Sequence, residues 1–180
     1  MKLEIGPGTA PLVGYQTLDV FPHHNPTYCF DINTNPWPIK DNSFEEVIAV
    51  HVFEHLMLRS LDNVLNNIYR ILEPNGRLIV HVPNGEVIAE AYLNFPDQRH
   101  HVAIGAPTNL AFYGSESEEE GKQAFAHKIL FDSTLLIHKF YIAKFRDVKD
   151  VSNEYTDRHD IYWEWMSEIN KFSLKVEGFK

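Results

Sequence analysis

Short apolar runs alternate with helical patterns along this chain of 180 residues. The run from Val47 to Val50 is continuous and rich in β-branched residues, which is typical of a strand buried on both faces. Alternation of such runs with amphipathic segments indicates an α/β protein. The seven predicted strands cover residues 2–5, 17–20, 28–32, 47–50, 77–82, 145–151 and 172–177.

Helices are predicted between several of these strands. Residues 61–72 carry apolar side chains at helical spacing, and Pro74-Asn75-Gly76 is expected to end that helix. A second helix is predicted over 133–140, with Asp132 or Ser133 as its N-cap. Residues 86–93 favour a short helix.

Composition and charge narrow the range of possible functions. A net charge of −9 with no basic stripe argues against binding to nucleic acid. The single cysteine indicates a reducing compartment. Because no apolar run reaches membrane-spanning length and no signal-peptide pattern is present, we expect a cytoplasmic protein without membrane contact. The length suits one domain over residues 1–180.

The first predicted strand ends in a glycine turn, Gly6-Pro7-Gly8. Glycine permits backbone angles and close approach that a side chain blocks. Ligands of open α/β sheets bind beyond the carboxyl ends of the strands, so this turn is a candidate ligand site. An ordinary Gly-Pro-Gly turn is the alternative interpretation.

Five segments, in this order, resemble the motifs of a class I S-adenosylmethionine-dependent methyltransferase. They are Leu3 to Gly8, Gly14 to Val20, Asp31 with Trp37 to Phe44, Glu46 to Leu56, and Arg70 to Leu78. The resemblance implies a Rossmann-like, mostly parallel sheet of about seven strands with an antiparallel last strand and helices on both faces. It also implies methyl transfer from S-adenosylmethionine to a small-molecule acceptor, a sugar or another metabolite with a hydroxyl or amine group.

The same resemblance implies a cofactor site. Asp19 would accept both ribose hydroxyls, and Asp31 with Ile32 would meet the adenine. Glu4 would orient the first loop or face the cofactor ammonium, and His51 would lie near the methionine moiety. The implied cofactor-binding residues are Glu4, Gly6, Pro7, Gly8, Asp19, Val20, Asp31, Ile32 and His51.

Three histidines are candidate general bases. A neutral imidazole suits deprotonation of a hydroxyl acceptor near pH 7. His51 is the first candidate, followed by His101 and His127. A purely structural histidine is the alternative at each position.

The connection between the first two strands is short, with ten residues between Gly8 and Asp19. A full helix does not fit there, which leaves open how the methionine carboxylate is held. This shortened connection resembles a subset of small-molecule and surface-sugar methyltransferases. The resemblance also implies a segment before the first strand, which this sequence does not show. We therefore expect one wall of the pocket to come from elsewhere or from another subunit, and a homo-oligomer stays open.

Residues 95–127 form a long segment without periodicity, which predicts a lid or substrate loop.

Two other functions stay open. One is a catalytically silent module that binds S-adenosylmethionine or a partner on the same fold. The other is a zinc hydrolase using His51-x-x-Glu54-His55. That chemistry needs both histidines on one helical face, whereas His51 directly follows a predicted strand. We therefore expect no metal site here, and none at the adjacent histidine pairs.

Overall fold

One seven-stranded sheet organises the protein. The computed structural model describes residues 1–94, 126–154 and 173–180. The strands are β1 (Lys2–Ile5), β2 (Gln16–Asp19), β3 (Tyr28–Cys29), β4 (Phe44–Val50), β5 (Leu72–Pro83), β6 (Arg146–Asp150) and β7 (Ser173–Phe179). Their order is β3-β2-β1-β4-β5-β7-β6. β7 is antiparallel to both of its neighbours and the other pairs are parallel, which confirms the predicted Rossmann-like sheet.

In the described part of the chain, α-helices follow β4 and β5. They are α1 (Leu58–Ile71), α2 (Gly85–Asn94) and α3 (Ser133–Ile142). Two short 3-10 turns cover Pro22–His24 and Phe53–His55. The predicted cap of α3 is confirmed, because the Asp132 carboxylate accepts the Leu135 N–H at 2.7 Å.

The largest differences from the sequence prediction lie at the end of β3 and at the starts of β4 and β5, because β4 begins at Phe44 rather than at residue 47 and β5 begins at Leu72 rather than at residue 77. β3 ends at Cys29 rather than at residue 32. Beyond it, the Asp31 carboxylate accepts the Asn33 N–H at 2.8 Å, and this local turn takes the backbone out of the strand. The chain leaves α1 at Ile71 and pairs at once with β4, before the predicted stop.

The main core lies between the sheet and the helices α1 and α3. The α1 residues that face it are spaced as predicted and are fully buried: Leu61, Val64, Leu65, Ile68 and Ile71. Leu136 and Phe140 of α3 join the same cluster. Full burial of one such side chain stabilises the fold by about 1.5–3 kcal/mol, so this face fixes the positions of the strand ends.

The opposite face of β1 and β4 carries buried polar groups and a loop. Residues 6–15 contain no helix, as the short spacing predicted. The Tyr15 hydroxyl donates to the Glu46 carboxylate, which also pairs with Arg77. Glu4 accepts the Leu12 N–H at 2.7 Å. Two carboxylates that project from the sheet therefore hold the loop that replaces the usual first helix.

Most of the predicted lid, together with residues 155–172, lies outside the described residues. Among the helices of the described part of the chain, none is long and apolar enough to cross a membrane.

Candidate functional site

A cleft of about 340 Å³ opens beyond the carboxyl ends of β1, β2 and β4. This is the edge at which open α/β sheets bind ligands, and the volume falls in the range of ligand pockets. The described residues that line it are Ile5, Gly6, Gly8, Leu18, Asp19, Val20, Phe21, His24, Phe30, Asp31, Ile32, Asn33, His51, Val52, His55, Leu56 and Lys128.

The glycine turn forms the floor of this cleft. Gly6 has φ of +66° and donates its N–H to the Leu18 carbonyl at 2.8 Å. A Cβ on Gly6 would lie 2.5 Å from the Val52 Cγ2 atom, closer than atoms can approach. Gly8 has φ of +57° and open space around it. Glycine at position 6 therefore permits both the turn and the close passage of the chain after β4.

Asp19 ends β2 inside the cleft and is only 6 % exposed. One carboxylate oxygen accepts the Phe21 N–H at 2.9 Å, and the other lies 2.9 Å from His24 Nδ1. These contacts fix the orientation of the carboxylate. An ionised carboxylate has about four acceptor positions, so capacity for ligand hydroxyls is left.

The next wall of the cleft comes from the loop after β3. Ile32 packs against the main core, and its carbonyl accepts the Trp37 indole N–H at 2.9 Å. The Phe30 ring meets the Trp37 ring edge-on, with centroids 5.7 Å apart. Asp31 is exposed at the rim, as is Val20. The buried Trp37 thus gives this flat, partly apolar wall a fixed position.

Glu4 and Pro7 are buried behind the loop and are not among the lining residues. Glu4 acts on the loop through Leu12, the first of the two roles expected for it. The Pro7 carbonyl accepts the Ala10 N–H at 3.4 Å, which closes the turn.

His51 occupies a left-handed backbone conformation, φ +53°, directly after β4. Such conformations are rare for residues other than glycine and cluster at functional sites. Its Nδ1 atom lies 3.2 Å from Glu54 Oε1, and its Nε2 atom lies 3.0 Å from Ser173 Oγ. Both ring nitrogens thus face protein groups, and His51 can take a proton from a ligand only by exchanging one of them.

Glu54 lies beneath His51 and is 1 % exposed. Neither carboxylate oxygen accepts a hydrogen bond of ordinary geometry from the described residues. Burial alone raises the pKa of Glu54, but the contact with His51 and the positive charges of His51 and His55 outweigh it and lower that pKa. The buried carboxylate is therefore negative and depends on nearby cationic groups.

The two remaining candidate bases are His127, which lies in the described part of the chain, and His101, which does not. His127 lies next to the site, with its ring centroid 5.0 Å from that of His55, which lines the cleft. His101 lies outside the described residues.

The zinc-hydrolase alternative loses its geometric basis. His51 follows the end of β4, and residues Phe53–His55 form a 3-10 turn. The zinc-peptidase motif requires both histidines on one α-helix. His51 and His55 therefore do not meet that requirement.

The polar lining residues that the sequence analysis missed include His24 and Lys128. His24 reaches Asp19 because Pro22 starts a 3-10 turn, and a proline followed by two histidines is a weak signal for that. Lys128 reaches the cleft because its N–H donates to the Glu54 carbonyl at 2.7 Å. No local pattern reveals a contact over that sequence distance.

Comparison with known proteins finds a family model that matches part of the chain. Residues 16–80 match the family model described as a methyltransferase domain. No curated protein sequence matches the chain.

Solved structures share the fold at low identity. A SAM-dependent methyltransferase from Archaeoglobus fulgidus has a TM-score of 0.61 and 15 % identity, over 99 % of this chain and 85 % of that one. One from Mesorhizobium loti has 0.60 and 12 %, over 99 % and 90 %. A phosphoethanolamine N-methyltransferase from Haemonchus contortus, in complex with phosphomonomethylethanolamine and S-adenosylhomocysteine, has 0.53 and 12 %, over 99 % and 48 %.

Residues 16–80 thus match a methyltransferase domain, and the chain shares its fold with solved S-adenosylmethionine-dependent methyltransferases.

Proposed function

We propose that this enzyme transfers the methyl group of S-adenosylmethionine to a hydroxyl or amine of a small molecule. The observation that carries the proposal is the cleft itself, which combines the Gly6 turn, the Asp19 carboxylate and the apolar wall at Ile32. The acidic chain offers no basic stripe for a nucleic-acid backbone. A small acceptor suits a cleft of this size.

The cofactor has three parts, and the cleft offers a partner for each. The ribose hydroxyls would donate to Asp19. The adenine would lie against Ile32, with its amino group near Asp31. The methionine part would lie over Gly6 and Gly8, toward His51 and Lys128.

When bound, S-adenosylmethionine would supply the methyl group: the acceptor oxygen or nitrogen would displace S-adenosylhomocysteine in line from the methyl carbon, and the acceptor's proton would pass to His51. The sulfonium is an activated donor, so positioning supplies much of the rate. His51 is the proposed catalytic residue, in contact with the acceptor on the β4 side of the cleft. The buried Glu54 and Ser173 hold its ring, so their role is to position it.

The test is transfer of labelled methyl from S-adenosylmethionine to a panel of sugars, phenols and small amines. We expect turnover with at least one panel member, and a His51→Asn variant that loses turnover while retaining affinity for S-adenosylhomocysteine. A protein that binds the cofactor but methylates no member of the panel would favour the silent binding module.

A further inference from the structure

We propose that Glu54, His55 and His127 form a binding site for a zinc-class divalent metal ion at the edge of the cleft. Each of these residues offers one ligand atom, and the three ligand atoms lie within 4.8 Å of one another. Glu54 and His55 come from the turn after β4, and His127 comes from a segment more than seventy positions further along the chain. We call these three residues the metal cluster.

Backbone contacts build the cluster. The N–H groups of Lys128 and Ile129 both donate to the Glu54 carbonyl, at 2.7 and 3.2 Å. The Lys128 ammonium donates to the His55 carbonyl at 3.0 Å. Ile129 is buried in the main core. His127 is therefore held beside the turn by its neighbours, and not by the chance position of an exposed side chain.

The tautomer of His55 directs a lone pair toward Glu54. Its Nδ1 atom lies 3.3 Å from the Ala126 carbonyl oxygen. A carbonyl only accepts, so Nδ1 carries a hydrogen, and a metal ion would bind Nε2 in the neutral form of the ring, in place of the proton of the charged form. That nitrogen lies 4.0 Å from Glu54 Oε1. A carbonyl partner on the far ring nitrogen is the arrangement by which metal-binding histidines are usually oriented.

The Glu54 carboxylate is a buried charge that a metal ion would stabilise further. It is 1 % exposed, neither oxygen accepts a hydrogen bond of ordinary geometry from the described residues, and Oε1 pairs with His51 Nδ1 at 3.2 Å. A buried charge is strongly destabilising unless an ion pair or a metal compensates it. A divalent ion between Glu54 Oε1 and His55 Nε2, which lie 4.0 Å apart, would add to the compensation that His51 provides.

The donor set selects the class of ion. Two imidazoles and one carboxylate suit zinc and neighbouring transition metals better than calcium or magnesium. Donor atoms around tetrahedral zinc lie about 3.4 Å apart, so small side-chain rotations would close the cluster. Three protein ligands leave a fourth position open, as in catalytic zinc sites.

The open coordination position would allow the ion to bind the methyl acceptor. His55 lines the cleft, so an oxygen or nitrogen of the acceptor can occupy the free coordination position. This role rests on the proposed function, whereas binding of the ion does not. The site differs from the peptidase motif, because its third ligand is His127 and its other two lie on a 3-10 turn.

Zinc titration of the chelator-treated full-length protein tests the site. We expect about one ion per chain by calorimetry and elemental analysis, and binding weakened at least about tenfold in His127→Ala and in Glu54→Gln. His138→Ala is the matched control, because His138 is an exposed histidine on α3, and it should bind zinc like the unmodified protein.

Affinity for S-adenosylhomocysteine serves as the folding readout for each variant. If His127→Ala keeps that affinity and loses zinc, the metal cluster is supported. If His127→Ala and His138→Ala bind zinc equally, or if no saturable site near one ion per chain exists, the metal cluster is wrong. Failure of the unmodified protein to bind S-adenosylhomocysteine would count against the proposed function alone.

Discussion

We expect recognition of the cofactor ribose to depend most directly on Asp19. Its two oxygens are held by the Phe21 N–H and by His24, so the carboxylate is oriented before a ligand arrives. Preorganisation of this kind lowers the entropy lost on binding. The sequence placed Asp19 at a strand end, and the structure adds the two groups that orient it.

Replacing Asp19 by alanine should weaken S-adenosylhomocysteine binding. Loss of a charge-assisted hydrogen bond costs about 1.5–3 kcal/mol, or roughly 10- to 150-fold in Kd. Calorimetry measures the change, and Asp41→Ala, on the surface beside Arg70, is the control. Equal affinity in Asp19→Ala and the unmodified protein would remove Asp19 from the site.

Gly6→Ala should damage both the fold and the site. The left-handed conformation costs a side chain about 1–2 kcal/mol, and the new Cβ meets the Val52 side chain. Gly14→Ala is the control, because Gly14 also has positive φ but open space around it. Thermal melts should show a larger loss for Gly6→Ala, partly recovered by adding Val52→Ala. Equal losses in the two single variants would mean that the Val52 contact is unimportant.

Lys128 is the one lysine or arginine among the described residues that line the cleft. Without a full helix after β1, the negative methionine carboxylate of the cofactor needs another cationic partner. We expect Lys128→Ala to weaken S-adenosylmethionine binding several-fold and Lys128→Arg to restore it. Should only the KM of the acceptor change, Lys128 faces the acceptor and not the cofactor.

At the scale of elements, the loop 6–15 is the unusual part of this fold. It replaces a helix, yet it carries the glycines of the proposed cofactor site. Its position rests on contacts with side chains that project from β1 and β4, chiefly Tyr15 with Glu46 and Leu12 with Glu4. The loop and the sheet are therefore coupled by polar contacts where related folds use helix packing.

Glu46 should make this coupling sensitive to acid. Burial raises the pKa of Glu46, but hydrogen bonds from Tyr15 and Arg77 and the charges of Arg77 and Lys2 outweigh it, so the pKa is lowered. A carboxyl whose folded pKa is depressed contributes stability above its unfolded pKa and loses it as pH falls through the folded pKa.

The stability difference between the unmodified protein and Glu46→Gln should therefore be full at neutral pH and shrink at acidic pH, below about 4.5. Urea unfolding at a series of pH values measures it. A difference that stays constant down to acid pH would show that the charge of Glu46 does not stabilise the fold.

At the scale of the whole molecule, hydrophobic period was enough to predict the strands, and the short spacing between Gly8 and Asp19 was enough to predict the missing first helix. The mostly parallel sheet with an antiparallel last strand was expected from the family resemblance. Contacts between distant segments were not predictable. Lys128 reaches the cleft, and the neighbouring His127 comes to lie beside His55, because the N–H groups of Lys128 and Ile129 donate to the Glu54 carbonyl. Such backbone contacts leave no mark on side-chain patterns. The end of β3 was misplaced because the local turn at Asp31 overrides strand propensity.

Cofactor binding should stabilise the whole molecule, because S-adenosylhomocysteine binds the folded chain and not the unfolded one. At a concentration about one hundred times Kd, the gain is about 2.7 kcal/mol. For a domain of this size that is a rise in Tm of about 5–10 °C. NADH is the control ligand, since the turn lacks the third glycine of dinucleotide-binding motifs. A rise in Tm with NADH and none with S-adenosylhomocysteine would contradict the assignment of the cofactor. If S-adenosylhomocysteine raised the Tm of Asp19→Ala as much as that of the unmodified protein, the proposed contact between Asp19 and the ribose would be wrong.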